Sequence, residues 1–136
     1  MTHLERIIQY ATDRGITILH GPIGDSPAMV VRKRGKLYIV VDPAIATNDA
    51  IEAAAIAHEL GHIETGTIGP HFRHNPDAED RAWAWAIHEL LPKDTFAAAR
   101  FACQGKLWEM IEMLNLPDYF IEKASVLYNC PLPVAL

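Results

Sequence analysis

Apolar residues at Leu4, Ile7, Ile8 and Ala11 follow the three-and-four spacing of one helical face, and this first helix is expected to end near Gly15. Ile16 to Leu19 then reads as a short strand. Beyond a loop holding Gly21, Pro22, Gly24 and Pro27, β-branched runs at Ala28 to Val31 and Leu37 to Val41 flank Gly35 and predict a hairpin closed by Asp42-Pro43. The pattern becomes helical over about residues 48–65. There Ile51, Ala53, Ala54, Ala55, Ile56 and Ala57 form an apolar run, Asp49 and Glu52 fit a capping box, and Gly66 supplies a stop. A polar loop leads to Asn75, which caps a helix with Pro76 in its first turn; that helix runs to Leu91 and halts at Pro92. Ala78, Ala82 and Ala86, four apart, give it a stripe of small residues along which the alanine-rich helix can approach closely. Segments at about 94–103, 106–114 and 118–129 are also helical, punctuated by Gly105 and Pro117. The predicted fold class is α+β, mostly helical, with a small three-stranded antiparallel sheet before the apolar helix.

Composition narrows the function classes. A chain of 136 residues that is 50% hydrophobic can bury one core, so a single domain over 1–136 is expected. A net charge of −5 argues against direct nucleic-acid binding. The basic cluster Arg32-Lys33-Arg34 with Lys36 straddles Gly35 and reads as a solvated hairpin tip, and acids outnumber bases over residues 106–129, which disfavours a DNA-binding helix pair there. No apolar run reaches membrane-spanning length, so no membrane partner is expected. Residues 1–13 mix charged and apolar positions unlike a secretory signal, and Cys103 and Cys130 lie far apart in no paired motif. Free thiols and a cytoplasmic location are the expectation.

The chemistry concentrates in His58-Glu59-Leu60-Gly61-His62. Two imidazoles four apart leave the same face of a helix and can grip one metal ion, with Glu59 beside them as a base. A catalytic zinc normally takes three protein ligands and leaves a position for water, so a third ligand is needed. A third histidine six residues after the second would fall at Ile68, which excludes that variant. Glu79 is the best candidate, because residues 79, 82, 83 and 86 share a face and the alanine stripe should turn that face toward the two histidines. Asp80 points off that face, Asp77 lies in the first turn, and His71 and His74 remain rivals on the loop. His3, His20 and His88 receive no role, His88 being nearly opposite Glu79 on its helix and solvated. Trp83, Trp85 and Trp108 read as packing residues.

Two segments together resemble the ImmA/IrrE family of metallopeptidases. One is the His58 to His62 motif; the other is Glu79-Asp80-Arg81-Ala82-Trp83-Ala84-Trp85-Ala86 followed by Leu90-Leu91-Pro92. Leu107-Trp108-Glu109-Met110 and Leu116-Pro117-Asp118-Tyr119-Phe120-Ile121 look like the family's C-terminal helical pair, so the resemblance spans about residues 36–128. It implies a zincin-like fold of the compact, phage- or mobile-element type and makes Glu79 the third metal ligand. Arg81 and Trp83 stand where many members carry an acid and a polar residue, so an acceptor steadying one of the histidines is either absent or comes from outside this helix.

The implied activity is a zinc-dependent endopeptidase, with manganese the alternative ion. Metal-activated water would attack a peptide carbonyl while Glu59 serves as general base and then passes the proton to the leaving amine. His71, Arg73, His74 and Tyr128 are unplaced candidates for stabilising the oxyanion. The substrate would be an extended polypeptide lying along strand 37–41, expected at a sheet edge beside the cleft. Family members act on helix-turn-helix repressors of mobile elements or stress regulons, which suggests the same substrate class here. The alternative is a non-catalytic binding module that sequesters a repressor or another partner protein.

Overall fold

The structure is a computed structural model, which describes residues 1–132. Helix α1 (His3–Asp13) starts with a reciprocal cap, in which Thr2 accepts from the Glu5 backbone and Glu5 accepts from that of Thr2. It buries Ile7 and Ala11. Three strands follow: β1 (Thr17–His20), β2 (Ala28–Lys33) and β3 (Lys36–Val41). The β2–β3 hairpin turns through Arg34 and Gly35, both at positive φ (52° and 77°), the backbone that a two-residue turn between twisted strands demands. Its basic tip is exposed, as the charge pattern predicts.

The sheet corrects two expectations. Its order is β1-β3-β2, with β1 parallel to β3 (Thr17 opposite Tyr38) and β2 antiparallel to β3 (Ala28 opposite Val41). The sheet is therefore mixed rather than antiparallel, and strand 37–41 is its centre rather than its edge. Burial explains the order: Ile39 and Val41 of β3 are fully buried, whereas β1 is short and exposes Thr17, Leu19 and His20. The residues between β1 and β2 form an open loop that cannot make a tight hairpin, and Asp42 pins this loop across the end of β3. Its carboxylate accepts from the backbone N–H groups of Ala44, Ile23 and Gly24, and these bonds hold it below the usual carboxylate range. The free edge near the functional motif belongs to β2.

Helix α2 (Asp49–Glu64) runs through the middle of the molecule. Its N-cap is Asn48, whose side chain accepts from Ile51 N–H, so the expected Asp49/Glu52 capping box does not form. Asp49 is already the first helical residue, and Glu52 is buried, 2.6 Å from His20 at the end of β1. Ala53, Ala54, Ile56, Ala57 and Leu60 are fully buried, as befits a helix packed on several sides by α1, β2, β3 and the next helix.

That next helix, α3 (Pro76–Leu90), is capped by Asn75 and makes the most extensive contact with α2 of any two elements. The alanine stripe is the contact face: Ala78, Ala82 and Ala86 are all fully buried. Gly61 lies so close to α3 that a Cβ placed there would run into the Ala82 backbone carbonyl. Helices α4 (Lys93–Ala102), α5 (Leu107–Leu114) and α6 (Asp118–Leu127) close the core with Phe96, Met110, Phe120 and Ile121, joined by Leu116 from the α5–α6 connection, and α6 packs on α3. Cys103 and Cys130 are free thiols. Among the described residues no helix is long and apolar enough to cross a membrane.

Gly61→Ala is expected to destabilise the protein. The gain in helix propensity is about 1 kcal/mol, while forcing two packed backbones apart costs about 1–3 kcal/mol or more. Urea unfolding should show a lower midpoint, and a midpoint at or above that of the wild type would contradict the close α2–α3 contact.

Candidate metal centre

His58 and His62 leave α2 one turn apart, and Glu79 enters from the first turn of α3 across the Gly61–Ala82 contact. His58 Nε2 lies 2.8 Å from Glu79 Oε2, and His62 Nε2 lies 3.0 Å from Glu79 Oε1. Both rings thus present the same nitrogen to one carboxylate, and one ligand atom from each residue can be chosen so that all lie within 4.8 Å of one another. A tetrahedral zinc with bonds of about 2.1 Å would set its donors roughly 3.4 Å apart. The two His–Glu pairs, each to a different carboxylate oxygen, lie slightly inside that spacing, and with one ligand atom per residue the set spans up to 4.8 Å, so the donor set suits a metal ion that side-chain shifts of about an ångström would close upon. The histidines are largely buried and Glu79 is 39% exposed, which leaves the centre open to solvent on the α3 side.

Electrostatics separate the roles of the neighbouring groups. Burial pushes the Glu59 carboxyl up to about 8, and the nearby Glu79 carboxylate adds to the shift. Burial likewise lowers His58 to about 4, outweighing the Glu79 carboxylate that favours its protonated form. Burial thus favours the neutral ring, the form that can ligate a metal, although Nε2 would have to give up to a cation the proton it shares with Glu79 at 2.8 Å. Glu59 lies beside the ring, Oε1 3.6 Å from His58 Nδ1, and can hold a proton at physiological pH.

The two histidines are steadied by different means. The His58 ring stacks on Trp83 with centroids 4.2 Å apart and planes 11° from parallel. Trp83 in turn meets the edges of Tyr119 and Phe120, and the Lys123 ammonium lies 4.9 Å from its centroid. His62 instead meets a hydroxyl, its Nδ1 being 2.9 Å from Thr67 Oγ1. Thr67 belongs to the turn after α2, outside both motif segments. The sequence marks Trp83 as sharing the Glu79 face but does not show that it stacks on His58, and Thr67 follows the expected helix stop with no sign of its own.

Two hollows flank the centre. One, of about 400 Å³, is lined by Met29, Val30, Ile68 and Arg73 together with Glu59, His62 and Glu79. The other, of about 320 Å³, is walled by Ile51, Ala55, Trp83 and Tyr119 and reaches His58 and Glu59. Glu59 and Ala28, the first residue of β2, border both. A larger groove of about 1180 Å³ between α5 and α6 shares no residue with the His–His–Glu cluster, so size alone does not mark the chemistry.

The rivals lie elsewhere. His71 and His74 are exposed and belong to no ligand cluster among the described residues. Tyr128 donates to the Leu91 carbonyl at 2.7 Å, at the opposite end of α3 from Glu79. His88 is exposed beside Tyr128. Of the four oxyanion candidates, only Arg73 lines a hollow that Glu59 shares.

Comparison with protein-family models, curated proteins and solved structures finds no match to this chain.

Proposed function

We propose that this chain is a metal-dependent endopeptidase, with zinc as the preferred ion. The observation that carries the reading is the convergence of two imidazole Nε2 atoms and one carboxylate beside a buried, protonatable Glu59, at a point open to solvent. Neutral imidazoles with one carboxylate suit zinc, and manganese is the second choice. A zinc ion held there supplies a Lewis acid for a peptide carbonyl and lowers the pKa of the water it binds.

The other tasks fall to the chain itself. Glu59 takes a proton from the attacking water on its carboxylate and returns it to the departing amine. Beside a dication its carboxyl gives up that proton more readily, bringing it toward the neutral range where one group can both accept and donate. Arg73 is placed to face negative charge developing near the larger flanking hollow. The unpaired edge of β2 offers main-chain hydrogen bonds to an extended peptide, whose side chains would enter the hollows on either side of Glu59. The resemblance of the two motif segments to ImmA/IrrE peptidases makes a helix-turn-helix repressor the substrate class to try first.

The test is mass-spectrometric analysis of a proteome-derived peptide library and of purified repressors after incubation with zinc-loaded protein. New termini that vanish on adding a chelator are expected. Libraries and repressors left intact by fully loaded protein would count against hydrolysis.

A further inference from the structure

We propose that Thr67 and Thr65 form a directed hydroxyl relay that fixes the His62 ring with its Nε2 lone pair facing the cation. Thr67 is then a positioning residue of the metal centre. The inference rests on the proposed metal site and adds to it a residue pair outside both motif segments.

The direction of the relay follows from counting protons. Thr65 Oγ1 lies 2.7 Å from the Gly61 carbonyl, Thr67 Oγ1 lies 2.9 Å from Thr65 Oγ1, and His62 Nδ1 lies 2.9 Å from Thr67 Oγ1. Each hydroxyl has one proton to give, and a carbonyl can only accept. Thr65 therefore donates to Gly61, and its oxygen accepts from Thr67. The other acceptor near the Thr67 proton, the His62 carbonyl at 3.4 Å, also lies away from the imidazole nitrogen. In either case the Thr67 oxygen turns a lone pair toward His62, and Nδ1 must bring the proton. A metal-bound imidazole carries only one proton, so with Nδ1 holding it Nε2 is the nitrogen that would turn its lone pair to a cation, on the side where it now meets the Glu79 carboxylate at 3.0 Å.

Local backbone chemistry puts Thr67 in place. Gly66 takes the left-handed conformation (φ +69°) just past the helix, Thr67 N–H donates to the His62 carbonyl at 2.9 Å, and Gly66 N–H donates to that of Ile63 at 3.2 Å. This is the paired bonding of a glycine-terminated helix, and it folds the residue five beyond His62 back against that ring. Thr67 is only 3% exposed, so water has little access to the relay. His58 has no equivalent among the described residues, since its Nδ1 is 3.6 Å from Glu59 Oε1 and its ring is held by Trp83.

The experiment measures zinc affinity by competition with a chromogenic chelator, for the wild type and for Thr67→Val, Thr67→Ser and Thr65→Val. Thr67→Val should bind zinc about 10- to 100-fold more weakly. Thr67→Ser should stay within about threefold of the wild type, and Thr65→Val should lose about three- to tenfold, because only the outer link is cut. In zinc-loaded wild-type protein, ¹⁵N NMR should find the His62 proton on Nδ1. Equal affinities for the wild type and Thr67→Val, a serine variant as weak as the valine one, or a zinc-loaded His62 without a proton on Nδ1 would overturn the relay. Should Thr67→Val fail to fold, Thr65→Val answers the same question, and affinity equal to the wild type refutes it. A wild type that takes up no zinc would sink the metal centre itself, whereas the other contrary results remove only the relay.

Discussion

Glu79→Ala is expected to lower zinc affinity on the order of a hundred- to thousandfold. Apparent binding free energies of about 10–16 kcal/mol for zinc held by four protein ligands put one ligand at roughly 2.5–4 kcal/mol, and each 1.4 kcal/mol is a factor of ten. The loss should be specific to the metal. Glu79 is partly exposed and among the described residues its side chain meets only the two imidazoles in hydrogen-bond range, so the fold should keep its stability to within about 1 kcal/mol. Asp80→Ala, one residue along on the exposed side of the same helix, is the matched control and should bind zinc as the wild type does. Chelator competition and metal analysis of the purified proteins read both effects. If the Glu79 variant holds zinc as tightly as the control, the carboxylate is not a ligand.

Glu59→Gln should separate binding from chemistry. Glutamine keeps the shape of the side chain between the two hollows but cannot shuttle a proton, so zinc uptake should persist while peptide cleavage falls by about 10²- to 10⁴-fold. Replacing a buried acid that ionises only near pH 8 by a neutral isostere also predicts little loss of fold stability at neutral pH. A module that only sequesters its partner would behave differently, with partner capture and any associated activity unchanged by the substitution. Cleavage and zinc content measured on the same preparation distinguish these outcomes.

Much of this site was legible in the residues. Helical spacing put His58 and His62 on one face, and the alanine stripe oriented α3 so that Glu79 would face them, because small side chains leave only one close packing surface. The β2–β3 hairpin was legible from Gly35 and its β-branched flanks. Sheet order was not, since pairing β1 with β3 joins residues about twenty apart and periodicity carries no information about which strand lies between. The cap of α2 was misplaced by one residue for a similarly local reason: Asn48, Asp49 and Glu52 all favour a helix start, and only the geometry shows Asn48 reaching Ile51. Thr67 and Trp83 were missed because their work depends on contacts formed after the chain turns. Gly66 gave a sign in the case of Thr67, since a helix ended in that way folds its next residues back over the last turn.

The most direct measurement is the anomalous difference density of zinc-loaded crystals at the zinc absorption edge. One peak about 2.0–2.2 Å from His58 Nε2, His62 Nε2 and a Glu79 oxygen, with a remaining position facing solvent, is the expected result. Zinc bound elsewhere on the protein, with Glu79 turned away from both imidazoles, would contradict it.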